Sequence, residues 1–153
     1  MINVKFQRTS DSQKKWEEKK LSLIVKKNYS PFYAGLACKE IGAAFKDFPI
    51  KPKYFVAEEK GEIRWFAGFM ASRIDYCVYD ICRVNVEPKY QWQGIGSQLI
   101  KKIIKTIKSY QGIHKASMVM LTACKPKFYE KFGFKTVSRY KRDDCLMVLK
   151  ISK

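Results

Sequence analysis

The spacing of hydrophobic residues changes along the chain, and the changes predict alternating strands and helices. Five aliphatic residues between positions 99 and 107 recur with the period of a helix that buries one face. Other segments alternate apolar and polar residues or form short apolar runs between turn residues, which is typical of strands. The predicted elements are a strand at 3–8, a helix from Ser10 or Ser12 to about Lys27, a helix after Ser30-Pro31, a hairpin of strands 53–59 and 62–72, a strand at 78–86, a helix at 97–110, a strand at 116–122, a short helix from Pro126 to Gly133, and a hairpin of strands 134–139 and 145–151.

This order of elements predicts one α/β domain over residues 1–153 with a mixed sheet, because no repeat, linker or low-complexity segment interrupts the pattern. The second helix is expected to bury Phe32, Leu36, Ile41 and Phe45 on its apolar side.

Composition narrows the class of protein. The residues are 46% hydrophobic, and no apolar stretch approaches the length of a signal peptide core or a membrane span. The five cysteines are scattered and the chain has one histidine, His114, so we expect reduced thiols and no metal site. These features predict a cytoplasmic protein without a membrane partner, and they leave open whether it is a monomer or a homodimer.

The formal net charge is +17 and comes mostly from lysine. One interpretation is attraction to nucleic acid, an anionic surface or an acidic substrate. The other is a solvated lysine surface, which we favour because motifs that interleave aromatic and basic residues for stacking on bases are missing.

A glycine-containing loop, Gln93-Gly94-Ile95-Gly96-Ser97, lies between the strand that ends at Val86 and the following helix. Glycines allow a tight turn and close approach of a ligand to the backbone. The free amides and the dipole of the first helical turn favour an anion such as a pyrophosphate. The loop lacks the Gly-Lys-Ser/Thr ending of a P-loop and the third glycine of a dinucleotide-binding loop. By itself, the loop is at least as compatible with a plain structural turn as with an anion-binding site.

A second motif, Phe128-Tyr129-Glu130-Lys131-Phe132-Gly133-Phe134, follows a predicted buried strand. With Gln91-Trp92-Gln93-Gly94-Ile95-Gly96 and the preceding Val86-Glu87-Pro88, it resembles the GNAT superfamily of acetyl-CoA-dependent N-acetyltransferases. That family has an acyl-CoA loop of pattern Gln/Arg-x-x-Gly-x-Gly/Ala and often a later Phe-Tyr-Glu-Lys-x-Gly-Phe. The order of predicted elements agrees along the whole chain.

The resemblance implies a GNAT fold, in which a mostly antiparallel mixed sheet is flanked by helices and two strands splay apart at the acyl-CoA site. It implies that acetyl-CoA is the cosubstrate and a primary amine the acceptor, which attacks directly in a ternary complex. The residues implied in binding acetyl-CoA are Val84, Val86, Gln91, Gln93, Gly94, Ile95, Gly96, Ser97 and Tyr129.

Tyr129 is also implied as the acid that protonates the leaving thiolate, since an ordinary tyrosine carries its proton at neutral pH. The alternative for Tyr129 is packing beside Phe128.

The base is a more open question. Asp80 shares a strand face with residues near the thioester end, and some family members have a base on this strand. Asp80 paired with a lysine, or a water relay, is nearly as plausible, and Asp75 and Glu87 are weaker candidates.

Cys124 is interpreted as a buried cysteine, because direct transfer is the family's usual route and no neighbouring histidine activates the thiol. His114 is expected to lie away from the chemistry.

The acceptor is not identified by the sequence. A small amine, a peptide N-terminus, a lysine side chain and an aminoacyl-tRNA all remain open. The aromatic residues of the first third form either an acceptor pocket or, more often in proteins, core; they are Tyr29, Phe32, Tyr33, Phe45 and Phe48. The main alternative function is a CoA-binding or nucleic-acid-binding module that has this fold without turnover.

Overall fold

A seven-stranded sheet with helices on both faces forms the framework of the protein, whose structure is a computed structural model. It describes residues 3–6, 11–46, 50–110, 114–141 and 143–151, with the backbone alone at 3–6 and 11–14. The elements are β1 (Asn3–Phe6), α1 (Asp11–Asn28), α2 (Pro31–Ala44), β2 (Lys53–Glu59), β3 (Glu62–Ala71), β4 (Val78–Val86), a 3-10 turn (Pro88–Tyr90), α3 (Ile95–Ser109), β5 (Met118–Ala123), α4 (Pro126–Glu130), β6 (Lys135–Tyr140) and β7 (Asp144–Lys150).

The strand order is β1-β2-β3-β4-β5-β7-β6, and every neighbouring pair is antiparallel except β4 and β5. The parallel pair runs only from Val78 opposite Met118 to Asp80 opposite Met120. Beyond Asp80 the two strands separate. The predicted mixed, mostly antiparallel sheet with splayed strands is therefore confirmed.

The sheet buries both of its faces, as the alternation along β2 shows. Tyr54 and Val56 pack in one apolar cluster with α1 and α2, whereas Phe55 and Ala57 pack in another with α3. Burial of apolar area on both faces is the main stabilising contribution to a layered fold of this kind.

A close contact between β2 and β3 lies within the cluster on the α2 side. Gly68 is opposite Tyr54 in the strand register. A Cβ atom at Gly68 would lie 2.5 Å from Cε1 of the Tyr54 ring, so the ring occupies the space above this glycine. Tyr54 itself is fully buried.

A β-bulge interrupts β4 near its middle. Arg83 and Val84 together lie opposite the single residue Ala67 of β3, and Arg83 has a φ of +53°. As a result, two consecutive side chains point to the α2 side: Cys82 packs on the apolar cluster there and Arg83 bonds to a residue of α2.

Several boundaries agree with the sequence patterns. The strands at 53–59 and 78–86 have the predicted limits. The long helix α3 begins two residues earlier than predicted, because Gly94 adopts the left-handed conformation and caps it. The first strand is confirmed at Asn3–Phe6, with residues 7 and 8 outside the described part. Ser12 lies inside α1, and Ser10, the other proposed cap, is outside the described residues.

The predicted apolar side of α2 was partly wrong. Phe32 is 71% exposed and Leu36 is 44% exposed. The helix instead packs through small residues and one isoleucine, which allow it to approach α1 and the sheet closely; the buried positions are Ala34, Ala37, Ile41 and Ala44.

None of the described helices is long and apolar enough to cross a membrane. Among the described residues, no cluster of three or more histidine, cysteine, aspartate or glutamate side chains has the arrangement to hold a metal ion.

Candidate active site

A cleft of about 820 Å³ opens where β4 and β5 separate, a size suited to a cofactor-sized ligand. It brings together the glycine loop and the Phe-Tyr-Glu-Lys motif, which are far apart in the sequence. Of the sequence-predicted binding residues, eight line the cleft: Val84, Val86, Gln91, Gly94, Ile95, Gly96, Ser97 and Tyr129.

The glycine loop forms the N-terminus of α3. Gly94 has a φ of +79°, a backbone conformation that residues other than glycine adopt only at a cost in free energy. The amides of Ile95 and Gly96 lie in the first helical turn, which has no carbonyl one turn earlier to accept from them. The Ser97 amide donates to the Gly94 carbonyl at 3.1 Å. An anion at this position would meet unpaired amides and the positive end of the helix dipole.

The two motifs contact each other across the cleft. A Cβ atom on Gly96 would lie 3.4 Å from Cζ of Phe128, which is van der Waals contact, so the ring packs directly beside the glycine loop. The Lys131 ammonium donates a 2.8 Å hydrogen bond to the Ser97 hydroxyl and lies 4.4 Å from the centre of the Phe128 ring. A cation is thereby held beside the first turn of α3.

A second cation, Lys125, lies at the same cleft. Its ammonium is 4.9 Å from the centre of the Trp92 ring, and Trp92 is 88% exposed with a φ of +67°. Sequence reasoning did not select Lys125 or Lys131 as site residues, although Lys131 belongs to the quoted motif. Both raise the positive potential where a phosphorylated ligand would bind.

The C-terminal end of β4 is fixed by polar contacts from α1 and the loop. The Val86 carbonyl accepts hydrogen bonds from Asn28 Nδ2 at 3.3 Å and from Gln91 Nε2 at 3.2 Å. Gln91 therefore lines the cleft and also anchors its wall. Gln93, in contrast, is not among the residues that line the cleft, and its side chain donates to the Lys89 carbonyl at 3.3 Å.

Glu87, a weaker candidate for the base, lies in an environment that indicates a structural role. It is buried, and its carboxylate pairs with Lys27 at 2.6 Å and Arg64 at 3.3 Å. Burial alone would raise the pKa of Glu87, but the hydrogen bonds and charges of these two cations outweigh it and lower the pKa. The ion pairs attach β4 to α1 and β3.

Tyr129 lies on α4 with its ring edge-on to Phe128, at 4.9 Å between ring centres. Burial raises the pKa of Tyr129 to about 12, and the neighbouring Tyr29 and Cys124 add to the effect. The phenol is therefore fully protonated at neutral pH. A protonated hydroxyl that lines the cleft can act as a proton donor.

Asp80 is half-buried on β4 at the last paired position before the strands separate, but it is not among the residues that line the cleft. Burial raises the pKa of its carboxyl, and a hydrogen bond with Ser72 opposes that shift. Asp75 is an exposed turn residue whose carboxylate accepts the Cys77 amide at 2.9 Å, which lowers the pKa of Asp75.

Cys124 was expected to be buried, and this was wrong. It follows directly after β5 and is exposed, and it lines the cleft near Tyr129. The apolar run that predicted burial ends at Ala123, where the strand ends. His114 is exposed and is not among the cleft residues, as expected.

The other end of the cleft lies on the α2 side of the sheet, with lining residues that sequence reasoning did not assign as a group. Arg83 donates from Nε to Glu40 Oε2 at 2.7 Å, and its guanidinium is 5.9 Å from the centre of the Tyr29 ring. Cys82 completes this group. No local motif predicts it, since the β-bulge and α2 bring its members together.

The aromatic residues of the first third do not form one pocket. Tyr29 lines the cleft, Phe45 packs partly buried against the α2-side cluster, and Phe32 and Tyr33 are exposed. Phe48 lies outside the described residues.

Comparison with known families decides the assignment. The sequence profile described as "Acetyltransferase (GNAT) domain" matches residues 51–136, more than half of the chain. The chain belongs to the GNAT acetyltransferase family. The matched part of this GNAT protein includes both motifs and the whole of the separated strands β4 and β5. Among curated proteins, no sequence matches the chain.

Solved structures show the same fold at low sequence identity. A protein from Desulfovibrio desulfuricans assigned to the GNAT family of acetyltransferases is 15% identical, with a TM-score of 0.80 over 99% of this chain and 100% of that one. An acyl-CoA N-acyltransferase from Pseudomonas aeruginosa is 15% identical, with a TM-score of 0.73 over 97% and 99%. A GNAT family acetyltransferase from Brucella melitensis, in complex with acetyl-CoA, is 18% identical, with a TM-score of 0.70 over 100% and 90%. At identities this low, the structural similarity shows the fold of the GNAT protein and does not identify its acceptor.

Proposed function

We propose that this protein transfers the acetyl group of acetyl-CoA to a primary amine by direct attack within a ternary complex. The observation that carries the proposal is the cleft that joins the α3 N-terminus to the Tyr129 hydroxyl. It brings the glycine loop, a space between two strands and a protonated tyrosine together in one continuous surface. We include in the proposal that residues 1–153 act as one domain, in the cytoplasm, as a monomer or homodimer.

The donor would bind by its phosphates at the loop. The backbone from Gln93 to Ser97 supplies amides there, and Lys131 and Lys125 supply positive charge. The pantetheine arm would lie between β4 and β5, where the strands have no ladder bonds to each other beyond Asp80. Its amide groups can pair with backbone groups that the separated strands leave open.

The transfer step needs stabilisation of the charge that develops on the thioester oxygen. The β-bulge turns the backbone at Arg83, and amides near Val84 to Val86 are the proposed donors to that oxygen. As the carbon–sulfur bond breaks, Tyr129 gives its proton to the sulfur. The phenolate then takes up a proton, either from solvent or the one that the attacking nitrogen loses as the amide forms.

The acceptor must lose a proton before its nitrogen attacks. Asp80 remains our candidate for accepting it, and because this carboxylate is not in the cleft lining, the proton would travel through water. Burial raises the pKa of Asp80, which makes its carboxylate a stronger base than that of an exposed aspartate. A relay of water molecules alone is the alternative.

The test is an assay of free CoA thiol with a panel of primary amines that includes small amines, peptide N-termini and lysine side chains. We expect thiol release that requires both protein and amine, with formation of the acetylated amine. Acetyl-CoA binding without thiol release for any acceptor would contradict the proposal and support a binding module.

A further inference from the structure

The end of the cleft on the α2 side is the place where an acceptor can reach a donor bound at the loop. The loop and Tyr129 belong to the side of the sheet covered by α3 and α4, whereas Glu40 belongs to α2 and Cys82 packs toward it. The cleft therefore passes between the separated strands from one face of the sheet to the other. Side chains on the α2 side would therefore contact an acceptor that approaches the thioester from that side of the sheet.

Glu40 is the carboxylate at this end. Arg83 contacts it with two nitrogens, Nε at 2.7 Å and Nη2 at 2.6 Å, and both contacts are to the same oxygen, Oε2. The Glu40 side chain remains 55% exposed. The geometry leaves Oε1 of a charged, open carboxylate to accept a hydrogen bond from a cationic group.

Arg83 is held too firmly to be the recognition group itself. Its side chain is 20% exposed, its guanidinium packs near the Tyr29 ring, and its backbone is fixed by the β-bulge. Two of its nitrogens are already bonded to Glu40. Arg83 thus acts as a positioning residue that orients the carboxylate.

An exposed apolar surface on α2 leads to Glu40. It consists of Phe32, Tyr33 and Leu36, with exposed fractions of 71%, 53% and 44%. The two aromatic rings are edge-on at 5.4 Å between centres. Leu36 lies one helical turn before Glu40, so the apolar residues and the carboxylate share a side of the helix. These three residues are not part of the cleft lining, and Glu40, which does line the cleft, connects their side of the helix to it. Exposed apolar residues in this position favour an apolar ligand group.

We propose that Glu40 binds the ammonium group of the acceptor, and that the acceptor carries a single ammonium on an apolar or aromatic stem that lies along Phe32, Tyr33 and Leu36. This inference rests on the proposed amine acetylation. It adds the chemical class of the acceptor and the residue that holds it.

The charge of the protein supports the same class. A net charge of +17 repels polyamines, whose several charges one carboxylate does not offset. An acceptor with its own carboxylate beside the amine would meet the negative charge of Glu40. A monoamine with an uncharged stem avoids both costs.

Three amines test the proposal: 2-phenylethylamine, phenylalanine and spermidine. The first two share an aromatic stem and differ by one carboxylate, and the third has several charges and no aromatic group. We expect kcat/KM for 2-phenylethylamine to exceed that for each of the others by about tenfold or more, because phenylalanine brings a second carboxylate up to Glu40 and spermidine adds positive charges and lacks the aromatic stem. A preference for phenylalanine would identify Arg83 as the recognition group and overturn the proposal, as would a preference for spermidine.

Variants of Glu40 give an independent readout. Glu40→Gln should raise KM for 2-phenylethylamine about tenfold and leave the acetyl-CoA Kd unchanged, whereas Glu40→Asp should recover part of the loss. Glu59→Gln, which removes a carboxylate from the β2–β3 hairpin outside the cleft lining, is the control and should match the wild type. An unchanged KM in Glu40→Gln would overturn the inference without touching the proposed function. If none of the three amines is acetylated, the inference also fails, while the broader amine panel still decides the proposed function.

Discussion

Lys131 and Ser97 connect the two motifs of the cleft through a hydrogen bond of 2.8 Å from the ammonium to the hydroxyl. Ser97 is in the first turn of α3, and Lys131 follows directly after α4. The bond fixes a positive charge beside the amides of the glycine loop. Because the Ser97 hydroxyl accepts this bond, its own O–H is still able to donate to a phosphate oxygen.

Replacing this lysine should weaken donor binding. Lys131→Met keeps most of the side-chain length and removes the charge, and we expect the acetyl-CoA Kd to rise roughly tenfold, with a weaker dependence on salt. Lys127→Met is the control, since Lys127 is an exposed lysine on α4 outside the cleft lining. Calorimetry at two salt concentrations measures the Kd and its salt dependence for each variant. Equal affinities in the two variants would exclude a role for Lys131 in phosphate binding.

The glycine loop can be tested with a matched pair of substitutions. Gly94 and Gly61 have φ values of +79° and +78°, and a Cβ atom on either would meet no heavy atom within 4 Å. Gly94→Glu and Gly61→Glu should therefore cost similar backbone strain, about 1–2 kcal/mol each. Only Gly94→Glu places a carboxylate where the pyrophosphate is proposed to lie, so it alone should abolish acetyl-CoA binding. Calorimetry showing binding by Gly94→Glu at wild-type affinity would remove the loop from the site.

Tyr129→Phe tests the acid. The substitution deletes one hydroxyl and keeps the ring contacts with Phe128, so we expect acetyl-CoA binding to be retained and turnover to fall by at least about tenfold. An acyl donor whose thiol leaves more easily should reduce the difference, because its thiolate needs the proton less.

The control for this prediction is Tyr79→Phe. Tyr79 is another buried tyrosine, but its hydroxyl donates to the His114 carbonyl at 3.1 Å, away from the cleft lining. It should lose about 1 kcal/mol of stability and keep wild-type turnover. If Tyr129→Phe shows the same pattern as Tyr79→Phe, Tyr129 is a packing residue.

Asp80→Asn separates the two routes for the amine proton. If Asp80 is the base, the variant should lose turnover most in mildly acidic solution, where the acceptor is almost wholly protonated, and should keep its acetyl-CoA affinity. A pH–rate profile that overlays the wild type would exclude Asp80 and leave water as the relay.

The same variant has a predicted stability signature. Burial raises the pKa of Asp80 above its ordinary value of 3.8, so the folded state favours the protonated carboxyl. The contribution of this group to stability is present below the ordinary pKa and is lost as the pH rises through the folded pKa. Thermal unfolding should therefore show that Asp80→Asn gains stability relative to the wild type as the pH rises from about 4 toward neutral.

Local patterns predicted most of the fold because many elements here have unambiguous signals. β4 is bounded by a proline after Val86 and was located to the residue, and the isoleucine spacing of α3 identified its buried face. The face of α2 was mispredicted, since Phe32 and Leu36 are more apolar than the alanines that the helix buries. Close helix packing selects small residues, and hydrophobicity alone does not reveal that choice.

The residues of the candidate site also fall into those that a local sequence pattern predicted and those that only the fold brings together. The loop and Tyr129 were found because each belongs to a contiguous motif. Glu40 and Arg83 come from α2 and β4 and meet only through the fold and the β-bulge. The exposure of Cys124 depends on where β5 ends, which the apolar run before it does not fix within a residue or two.

Gly68 will give a misleading signal in any survey of which substitutions this protein tolerates. The Tyr54 ring lies where even an alanine methyl would go, 2.5 Å from the position of its Cβ, and the tyrosine is fully buried, so the substitution would overpack the core. A saturation screen scored by activity should therefore rank Gly68 as intolerant as Gly94, although Gly68 is not among the cleft residues. A parallel screen scored by protein abundance would distinguish them, because loss at Gly68 follows from failure to fold and loss at Gly94 from failure to bind.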